Sequence, residues 1–178
     1  MKKCIALLRG VNVGGKNKIA MPNLQAAFEA AGFSDVLTYI NSGNIIFSAA
    51  GEEAELSARC EAIIKTRFGL NISVAVISAE ALAEALHGAP SWWGDDSKSK
   101  HNAIFVIPPA DAAEIAKQAG EIKPEYEKIA TCGQVIFWSA PIATFSKTRW
   151  SKVSATSAYQ SITIRNANTA KKLAALTK

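Results

Sequence analysis

Apolar residues in the first half of the chain follow two periodicities, one typical of strands and one typical of helices. Four short runs rich in β-branched residues predict strands, at residues 3–8, 36–40, 44–48 and 72–77. Two longer segments, residues 22–31 and 52–68, repeat apolar residues at helical spacing. Gly32 and Gly69 follow these segments and are expected to end the helices. The predicted order of the first half is therefore β-α-β-β-α-β.

The second half repeats this order of elements. Its strands are predicted at residues 102–107, 126–130, 134–139 and 162–165. A helix is predicted at residues 111–119, and a weaker helical pattern over residues 146–155 supplies the second helix. Two further helices are predicted outside the repeat, one after Ser78 and one over residues 168–176.

The two predicted hairpins also match in sequence. Gly43-Asn-Ile-Ile-Phe47 in the first half corresponds to Gly133-Gln-Val-Ile-Phe137 in the second. The order β-α-β-β-α-β is typical of the ferredoxin-like unit, or α-β plait. We therefore predict an α+β fold of two tandem ferredoxin-like units with antiparallel sheets, related by internal duplication, plus a C-terminal helix. The first subdomain is expected over residues 1–78, and the second, over residues 79–178, includes a linking helix and the C-terminal helix.

Composition excludes several classes of protein. The chain has 178 residues, of which 49% are apolar, and this fraction excludes an intrinsically disordered chain. No segment approaches the roughly 20 apolar residues of a membrane span, so no membrane partner is expected. The apolar run after the basic start ends at Arg9, which is too early for a signal peptide. Three cysteines without a CxxC motif favour a reducing, cytoplasmic environment.

Charge is distributed unevenly along the chain, whose net charge is +5. Residues 1–28 contain five basic residues and no acid, and residues 128–178 contain eight basic residues and no acid. All fifteen acidic residues lie between these two ends. Such asymmetry indicates an anionic partner, namely phosphate, a nucleotide or nucleic acid, although a solvated basic surface would give the same pattern.

The Gly-rich loop after the first predicted strand nearly matches the phosphate-binding motif GxxxxGK[ST]. Asn17 stands where that motif needs a hydroxyl for Mg²⁺, and the following helix is predicted to begin only near Pro22, so a P-loop nucleotide triphosphatase is disfavoured. Glycines nevertheless permit a nest of N–H groups around one anion, and Arg9 and Lys16 add positive charge. The alternative is a long connection without a ligand, and the sequence leaves both interpretations open.

A second candidate lies where the last predicted strand meets the closing helix. Arg165 follows Ile162-Thr-Ile164, so it is expected to be exposed on the open sheet face, opposite the helices, or at its rim, where it could hold a phosphate. The alternative is a structural partner of a buried carboxylate. Asn166 or Asn168 can cap the helix, either as plain capping or as part of an anion site.

Other motifs give weaker signals. Trp92-Trp93 is either a stacking platform for a base or, more commonly, an anchor that holds a loop on the core. His87 and His101 have no second ligand at metal-binding spacing, so no metal or cofactor is expected. No Ser or Cys has a His nearby in sequence, and therefore no catalytic nucleophile is predicted.

Three long motifs resemble those of domain-of-unknown-function family 1697, a bacterial family. They are the segments Ala6–Asn17, Thr38–Asn44 and Thr163–Asn166, supported by Trp92-Trp93-Gly94 and Lys100-His-Asn102. The resemblance runs nearly end to end. It implies two ferredoxin-like units and no established activity. The family often has glycines before a Ser-Lys motif, whereas here that segment is Pro141-Ile-Ala-Thr-Phe-Ser-Lys147.

These observations favour a protein that binds a phosphorylated ligand or nucleic acid in a basic cleft between the two subdomains. The alternatives are an enzyme acting on a phosphorylated small molecule, in which cationic side chains stabilise the transferring charge, and a protein-interaction module. The residues expected to line the cleft are Arg9, Asn12, Gly14, Gly15, Lys16, Asn17, Ser42, Asn44, Lys147, Arg149, Arg165 and Asn166.

Overall fold

The computed structural model describes residues 1–178 and has a mixed α+β fold. The chain divides into two compact units, each with its own four-stranded antiparallel sheet. Unit 1 comprises Met1–Leu82 and Leu173–Lys178, and unit 2 comprises Ala83–Lys172. The predicted fold class, α+β with two antiparallel sheets, is confirmed. No helix combines the length and the apolar composition that a membrane span requires.

Unit 1 contains the first four strands and the first two helices. Their order along the chain is β1 Lys2–Leu8, α1 Met21–Ala30, β2 Ser34–Tyr39, β3 Asn44–Ala49, α2 Glu53–Phe68 and β4 Val74–Ser78. The strands lie side by side in the order β2-β3-β1-β4, and each neighbouring pair is antiparallel. Helix α3, Ala79–His87, follows β4 and runs from unit 1 into unit 2.

Unit 2 contains the remaining elements. They are β5 Ser99–Val106, α4 Ala112–Ala119, β6 Lys128–Cys132, β7 Val135–Pro141, three 3₁₀ helices at Ile142–Lys147, Trp150–Ala155 and Ser157–Ser161, β8 Ile162–Asn166 and α5 Ala167–Leu176. The strand order is β6-β7-β5-β8, again antiparallel throughout. The last residues of α5, from Leu173, are grouped with unit 1.

Alternating side chains on the central strands form each core. In unit 1, Cys4, Ala6 and Leu8 of β1 pack in the same cluster as Phe28 of α1 and Ile64 of α2, all of them buried. Strands place alternate residues on opposite faces, so this pattern puts both helices on one face of the sheet. The corresponding cluster of unit 2 combines residues of β5 and β7 with α4 and the 3₁₀ segments.

The prediction of a helix over residues 146–155 is wrong, because this region contains parts of two short 3₁₀ helices, Ile142–Lys147 and Trp150–Ala155, and a third follows at Ser157–Ser161. Thr148 and Thr156 donate side-chain hydrogen bonds to carbonyls three residues earlier, those of Phe145 and Val153, at 2.8 and 2.7 Å. Such bonds offer the backbone an alternative to the α-helical ladder. The density of Ser and Thr in this segment therefore outweighed its weak apolar periodicity.

Candidate functional site

The Gly-rich loop after β1 is a miniature β-hairpin. The Lys16 N–H donates to the Val13 carbonyl at 3.1 Å, and the Asn12 N–H donates to the Asn17 carbonyl at 3.2 Å. Gly14 and Gly15 form the turn with φ of +58° and +74°, as a type I′ turn requires. The N–H groups of Asn12 and Lys16 are therefore used within the loop, and α1 begins at Met21 instead of directly after Lys16.

Asn12 fixes this loop in place. Its side-chain amide donates to the carbonyls of Ile19 and Asn41, each at 2.9 Å, and its Oδ1 accepts from the Ile19 N–H at 2.9 Å. Asn17 adds a bond from its amide to the Gly10 carbonyl at 3.1 Å. The side chains of the two asparagines thus stabilise the conformation of the loop, and Asn12 also bonds the loop to the β2–β3 turn.

That turn needs glycine at position 43. Gly43 has φ +74°, and a Cβ there would lie 2.8 Å from the Leu8 Cβ, inside van der Waals contact. The Leu8 N–H donates to the Gly43 carbonyl at 2.9 Å. Asn44 is buried, and its amide donates to the Tyr39 carbonyl and the Ser42 hydroxyl at 3.0 and 2.9 Å. The structure therefore brings the β2–β3 turn beside the loop after β1.

A surface pocket of about 460 Å³ lies where this loop meets α1. It is lined by Asn12, Gly15, Lys18, Ile19, Ala20 and Asn41. Ala20 is the N-cap of α1 and makes no side-chain capping bond, and the first turn of the helix contains no acid. The positive end of the helix dipole is therefore not compensated by a side chain of that turn. Lys18, which lines the pocket, is exposed, and Lys16 is an exposed residue of the preceding loop.

Arg9 extends from the end of β1. Its side chain is half-buried, and its backbone N–H donates to the Ser73 carbonyl at 3.0 Å.

In unit 2, two of the predicted basic residues lie beside the 3₁₀ segments. The Arg149 guanidinium donates from Nε to the Ala119 carbonyl at 2.7 Å, at the end of α4. It also lies against Gly120, where an added Cβ would be 2.6 Å from the guanidinium. The exposed Lys147 ammonium lies 5.5 Å from the centre of the Tyr126 ring. Arg149 therefore helps to close the C-terminus of α4.

Arg165 is buried, and the prediction that it stands exposed at the sheet face or rim is wrong. Ile162 and Ile164 do pack in the core that contains α4, so Arg165 points to the other face, as expected. That face is buried, and only 8% of Arg165 is accessible. Desolvation lowers its pKa to about 10. Its Nη1 donates to the Thr163 hydroxyl and the Ile164 carbonyl at 2.8 and 2.9 Å.

Asn166 and Trp93 both have structural roles. The Asn166 Oδ1 accepts from the Thr169 N–H at 2.8 Å, which caps α5. Trp93 is buried edge-to-face against Phe137, with ring centres 4.8 Å apart, and its indole N–H donates to the Asn102 carbonyl at 2.8 Å. Trp93 therefore anchors its loop on the sheet.

Sequence reasoning missed one cluster of reactive side chains. His101 on β5 and Ser139 on β7 are direct partners across the two strands, and the Ser139 Oγ lies 2.6 Å from His101 Nδ1. The other ring nitrogen, Nε2, lies 2.9 Å from the Asp96 carbonyl oxygen and 3.6 Å from the Asp96 carboxylate. The only signal in the sequence is that His101 and Ser139 fall on or beside predicted strands; the register that joins them cannot be read from it.

These three residues line a pocket of about 240 Å³ in unit 2. Trp92, Tyr126 and Lys128 also contribute to its wall. Nowhere does the structure group three His, Cys, Asp or Glu side chains in an arrangement that could hold a metal ion.

Comparisons with known proteins give the relationship of this chain. A family model described as "Protein of unknown function (DUF1697)" matches residues 1–137. The structure is similar to that of the conserved bacterial protein SP0830 from Streptococcus pneumoniae, with a TM-score of 0.89, 30% sequence identity and 99% of each chain covered. No curated protein matches the sequence at a significant level. The resemblance carried by the three sequence motifs is therefore confirmed, and the chain belongs to the DUF1697 family.

Proposed function

We propose that this chain binds a phosphorylated small molecule, with the phosphate seated in the pocket beside the start of α1. The observation that carries the proposal is the pocket itself, where Lys18 and the uncapped N-terminus of α1 meet. Residues 1–28 contain no acid, so no carboxylate of this segment opposes an anion there. The dipole at a helix start favours negative charge.

The hydrogen bonds of Asn12 and Asn17 support this proposal, because they hold the loop in one shape without a ligand. A site that is already ordered loses less entropy when it binds. Lys16 and Lys18 are free to add charge from the surface, and a phosphate can accept hydrogen bonds from an ammonium group. The loop thus carries two exposed lysines on a backbone that hydrogen bonds from Asn12 and Asn17 hold in place.

Nucleic acid is the second candidate, and the basic C-terminal segment favours it. Residues 128–178 contain eight basic residues and no acid. A shared cleft that also includes Lys147, Arg149, Arg165 and Asn166 stays a prediction. Affinity for duplex DNA would fall steeply with salt, with a log-log slope of about −4.5 for about five phosphate contacts. Affinity for a mononucleotide would change far less with salt.

Titration calorimetry with inorganic phosphate, a mononucleotide and a 20-base-pair duplex tests the proposal. Lys18→Gln is expected to weaken phosphate and mononucleotide binding about tenfold, which corresponds to about 1.4 kcal/mol for one charge-assisted contact. Lys65→Gln is the matched control, because Lys65 is an exposed lysine of unit 1 on α2, away from this pocket. Equal affinities for Lys18→Gln, Lys65→Gln and the wild type would overturn the proposed site.

Ala20→Asp separates a binding effect from a folding effect. An aspartate at the N-cap is expected to stabilise α1 by about 0.5–1 kcal/mol, because it accepts a bond from a first-turn N–H. The same carboxylate occupies the positive end of the helix and repels a phosphate, so binding is expected to weaken while the melting temperature rises. Ala26→Asp, on the exposed face of α1, is the control. A rise in both stability and affinity would contradict the proposal.

We also propose that each unit is a ferredoxin-like plait and that the two arose by duplication, with residues 1–78 and 79–178 as the two subdomains along the sequence. Two observations support this. The strand order β2-β3-β1-β4 of the first sheet is repeated by rank in β6-β7-β5-β8. The second and third strands of each sheet are hairpin partners that carry the matching sequences around Phe47 and Phe137.

A further inference from the structure

We infer that the His101–Ser139 pair in unit 2 is a catalytic site for acyl transfer, with Ser139 as the nucleophile, His101 as its general base and Asp96 as a positioning residue. The substrate class is a small carboxylic ester that carries a positive charge. This site is separate from the proposed phosphate pocket, and neither the family description nor the similar structure assigns an activity to it.

The hydrogen bonds of His101 determine which of its ring nitrogens carries the proton. The Asp96 carbonyl oxygen, 2.9 Å from Nε2, can only accept a hydrogen bond, so Nε2 is the protonated nitrogen of the neutral ring. Nδ1 is then a lone pair, and it accepts the proton of the Ser139 hydroxyl over 2.6 Å. A serine that donates to a neutral imidazole is the arrangement that activates a hydroxyl for nucleophilic attack.

Asp96 stabilises the charge that forms on His101 during the reaction. Its carboxylate lies 3.6 Å from Nε2 and favours the imidazolium ion. Desolvation acts to raise the pKa of Asp96, but hydrogen bonds from Lys98 and Ser99, together with the charge of His101, hold that pKa below its ordinary value. Asp96 therefore remains ionised while His101 takes up the proton.

The sheet register places a cation opposite the nucleophile. Ser139 pairs with His101 on one side and with Lys128 of β6 on the other. All three residues line the same pocket, so the Lys128 ammonium is available to stabilise the oxyanion that develops when an ester carbonyl is attacked. The base and the oxyanion stabiliser thus come from the two strands that flank the serine.

The charge of the pocket selects the substrate. Asp95, Asp96 and Glu125 line it against a single lysine, which gives a net negative wall. A fourth carboxylate, that of Glu127, is buried and accepts hydrogen bonds from protein N–H groups. The ring of Trp92 adds an aromatic surface that a cation can contact. An anionic ester would be repelled, whereas a cationic one is attracted.

The chemistry balances with an ester and water as the only reactants. The Ser139 Oγ forms a bond to the ester carbonyl carbon while its proton passes to His101 Nδ1. The bond from that carbon to the alcohol oxygen then breaks, and Nδ1 returns the proton to the departing oxygen. Water attacks the acyl-serine in the same way, releases the carboxylic acid and restores the Ser139 hydroxyl.

Covalent labelling tests the nucleophile directly. The full chain is treated with diisopropyl fluorophosphate, and intact mass followed by peptide mapping locates the adduct. One adduct on Ser139 is expected, and it should disappear in Ser139→Ala and in His101→Gln. Ser146→Ala is the control, because Ser146 is an exposed serine of unit 2 next to a lysine. Absence of an adduct on the wild type, or an adduct on Ser146, would overturn the proposal.

Ser139→Cys provides a second test in case Ser139→Ala or His101→Gln fails to fold. A thiol in this position keeps the size of the side chain and is expected to react with iodoacetamide faster than Cys132, because His101 promotes its ionisation. Melting curves report the folding of each variant. A folded Ser139→Cys protein that reacts no faster than Cys132 would contradict the role of His101 as base.

Turnover of matched esters tests the substrate class. We expect p-nitrophenyl 4-(trimethylammonio)butyrate to be hydrolysed at least tenfold faster than p-nitrophenyl hydrogen glutarate, and we expect His101→Gln to lower kcat at least 100-fold. Asp96→Asn should lower kcat about fivefold, because its charge stabilises the imidazolium, and should also raise KM for the cationic ester, because it removes one carboxylate of the pocket wall. A preference for the anionic ester, or a change of KM alone in Asp96→Asn, would overturn this assignment. None of these variants is expected to alter phosphate binding by unit 1, so the two proposals fail or succeed separately.

Discussion

The two units have the same strand order, but they differ in the segment that joins the third strand to the fourth and covers the sheet. In unit 1 the connection from β3 to β4 is a regular helix, the 16-residue α2. In unit 2 the connection from β7 to β8 is a chain of three 3₁₀ helices. Both coverings bury apolar side chains against their sheet, for example Ile64 in unit 1 and Trp150 in unit 2. A sheet of this order therefore does not require an α-helix at that position.

The difference lies in how the covering backbone is held. Helix α2 satisfies its own backbone groups, and its carboxylates Glu53 and Glu61 each accept one N–H, from Ser78 and Val74. The 3₁₀ segment depends on Glu127, whose Oε1 accepts from the N–H groups of Lys123 and Arg149 at 3.0 and 2.7 Å. Its Oε2 accepts from the Trp138 indole at 3.1 Å and the Trp150 N–H at 3.2 Å. The buried Glu127 carboxylate thus accepts backbone hydrogen bonds that the carbonyls of an α-helix would otherwise accept.

Glu127→Gln is expected to have the largest effect on stability. The side-chain amide keeps one acceptor oxygen, and its NH₂ group must face donors that previously met a carboxylate oxygen. We expect the free energy of unfolding to fall by about 3 kcal/mol, measured by urea denaturation. Glu61→Gln is the matched change in unit 1 and should cost at most about 1 kcal/mol, since it affects one N–H. Equal losses in the two variants would remove the contrast between the coverings.

Glycine substitution distinguishes the two backbones. Ala58→Gly lies at an exposed position inside α2 and should cost about 1 kcal/mol, because glycine loses more conformational freedom in a helix. Ala155→Gly, exposed at the end of the second 3₁₀ helix, should cost less than about 0.5 kcal/mol. Denaturation curves of both variants provide the measurement. A larger loss for Ala155→Gly would show that the 3₁₀ backbone is the more tightly determined of the two.

A smaller effect is expected from the thiol that α2 buries. Desolvation raises the pKa of Cys60 above its ordinary value of 9.0, so the folded protein keeps this proton when the unfolded chain loses it. The stabilising contribution is complete below pH 9 and is lost as the pH rises further. Between pH 8.5 and 9.5 the wild type should lose about 0.7 kcal/mol more than Cys60→Ala. Ile64→Val, a core truncation that removes no thiol, should keep the wild-type slope; a wild-type slope in Cys60→Ala would show that α2 does not exclude water from Cys60.

The regular half of the fold was the more predictable from sequence. In α2 a long apolar stripe ends at Gly69, which adopts φ +68° as a helix C-terminus favours, and the prediction of residues 52–68 agrees with Glu53–Phe68. The 3₁₀ segment was missed because its determinants are distant. Glu127 lies 22 residues before Arg149 in the chain, and no local pattern reports a hydrogen bond of that separation. Apolar periodicity therefore predicts elements whose backbone hydrogen bonds form within the element. It fails where a distant segment accepts those hydrogen bonds.

The same limit applies to the candidate sites. Local turn chemistry identified the Gly-rich loop and gave Asn166 and Asn168 as alternative caps of α5, of which Asn166 is the one that caps the helix. Burial misled the interpretation of Arg165, because alternation along a strand gives the face of a side chain but not what covers that face. The His101–Ser139 pair depends on the register of β5 and β7, which a single sequence does not reveal. Residue roles that depend on one loop could be predicted from the sequence, whereas a contact between side chains on two strands could not.

The carboxylate of Glu127 also sets how the 3₁₀ segment opens to solvent. Arg149 and Trp150 are adjacent in the chain and both donate their backbone N–H to this one group, which in turn holds the Trp138 indole on β7. Releasing either amide leaves a buried charge with fewer donors, so the two amides are expected to open together. Their protons should therefore exchange with deuterium at one common rate, even though the segment between β7 and β8 contains no α-helix.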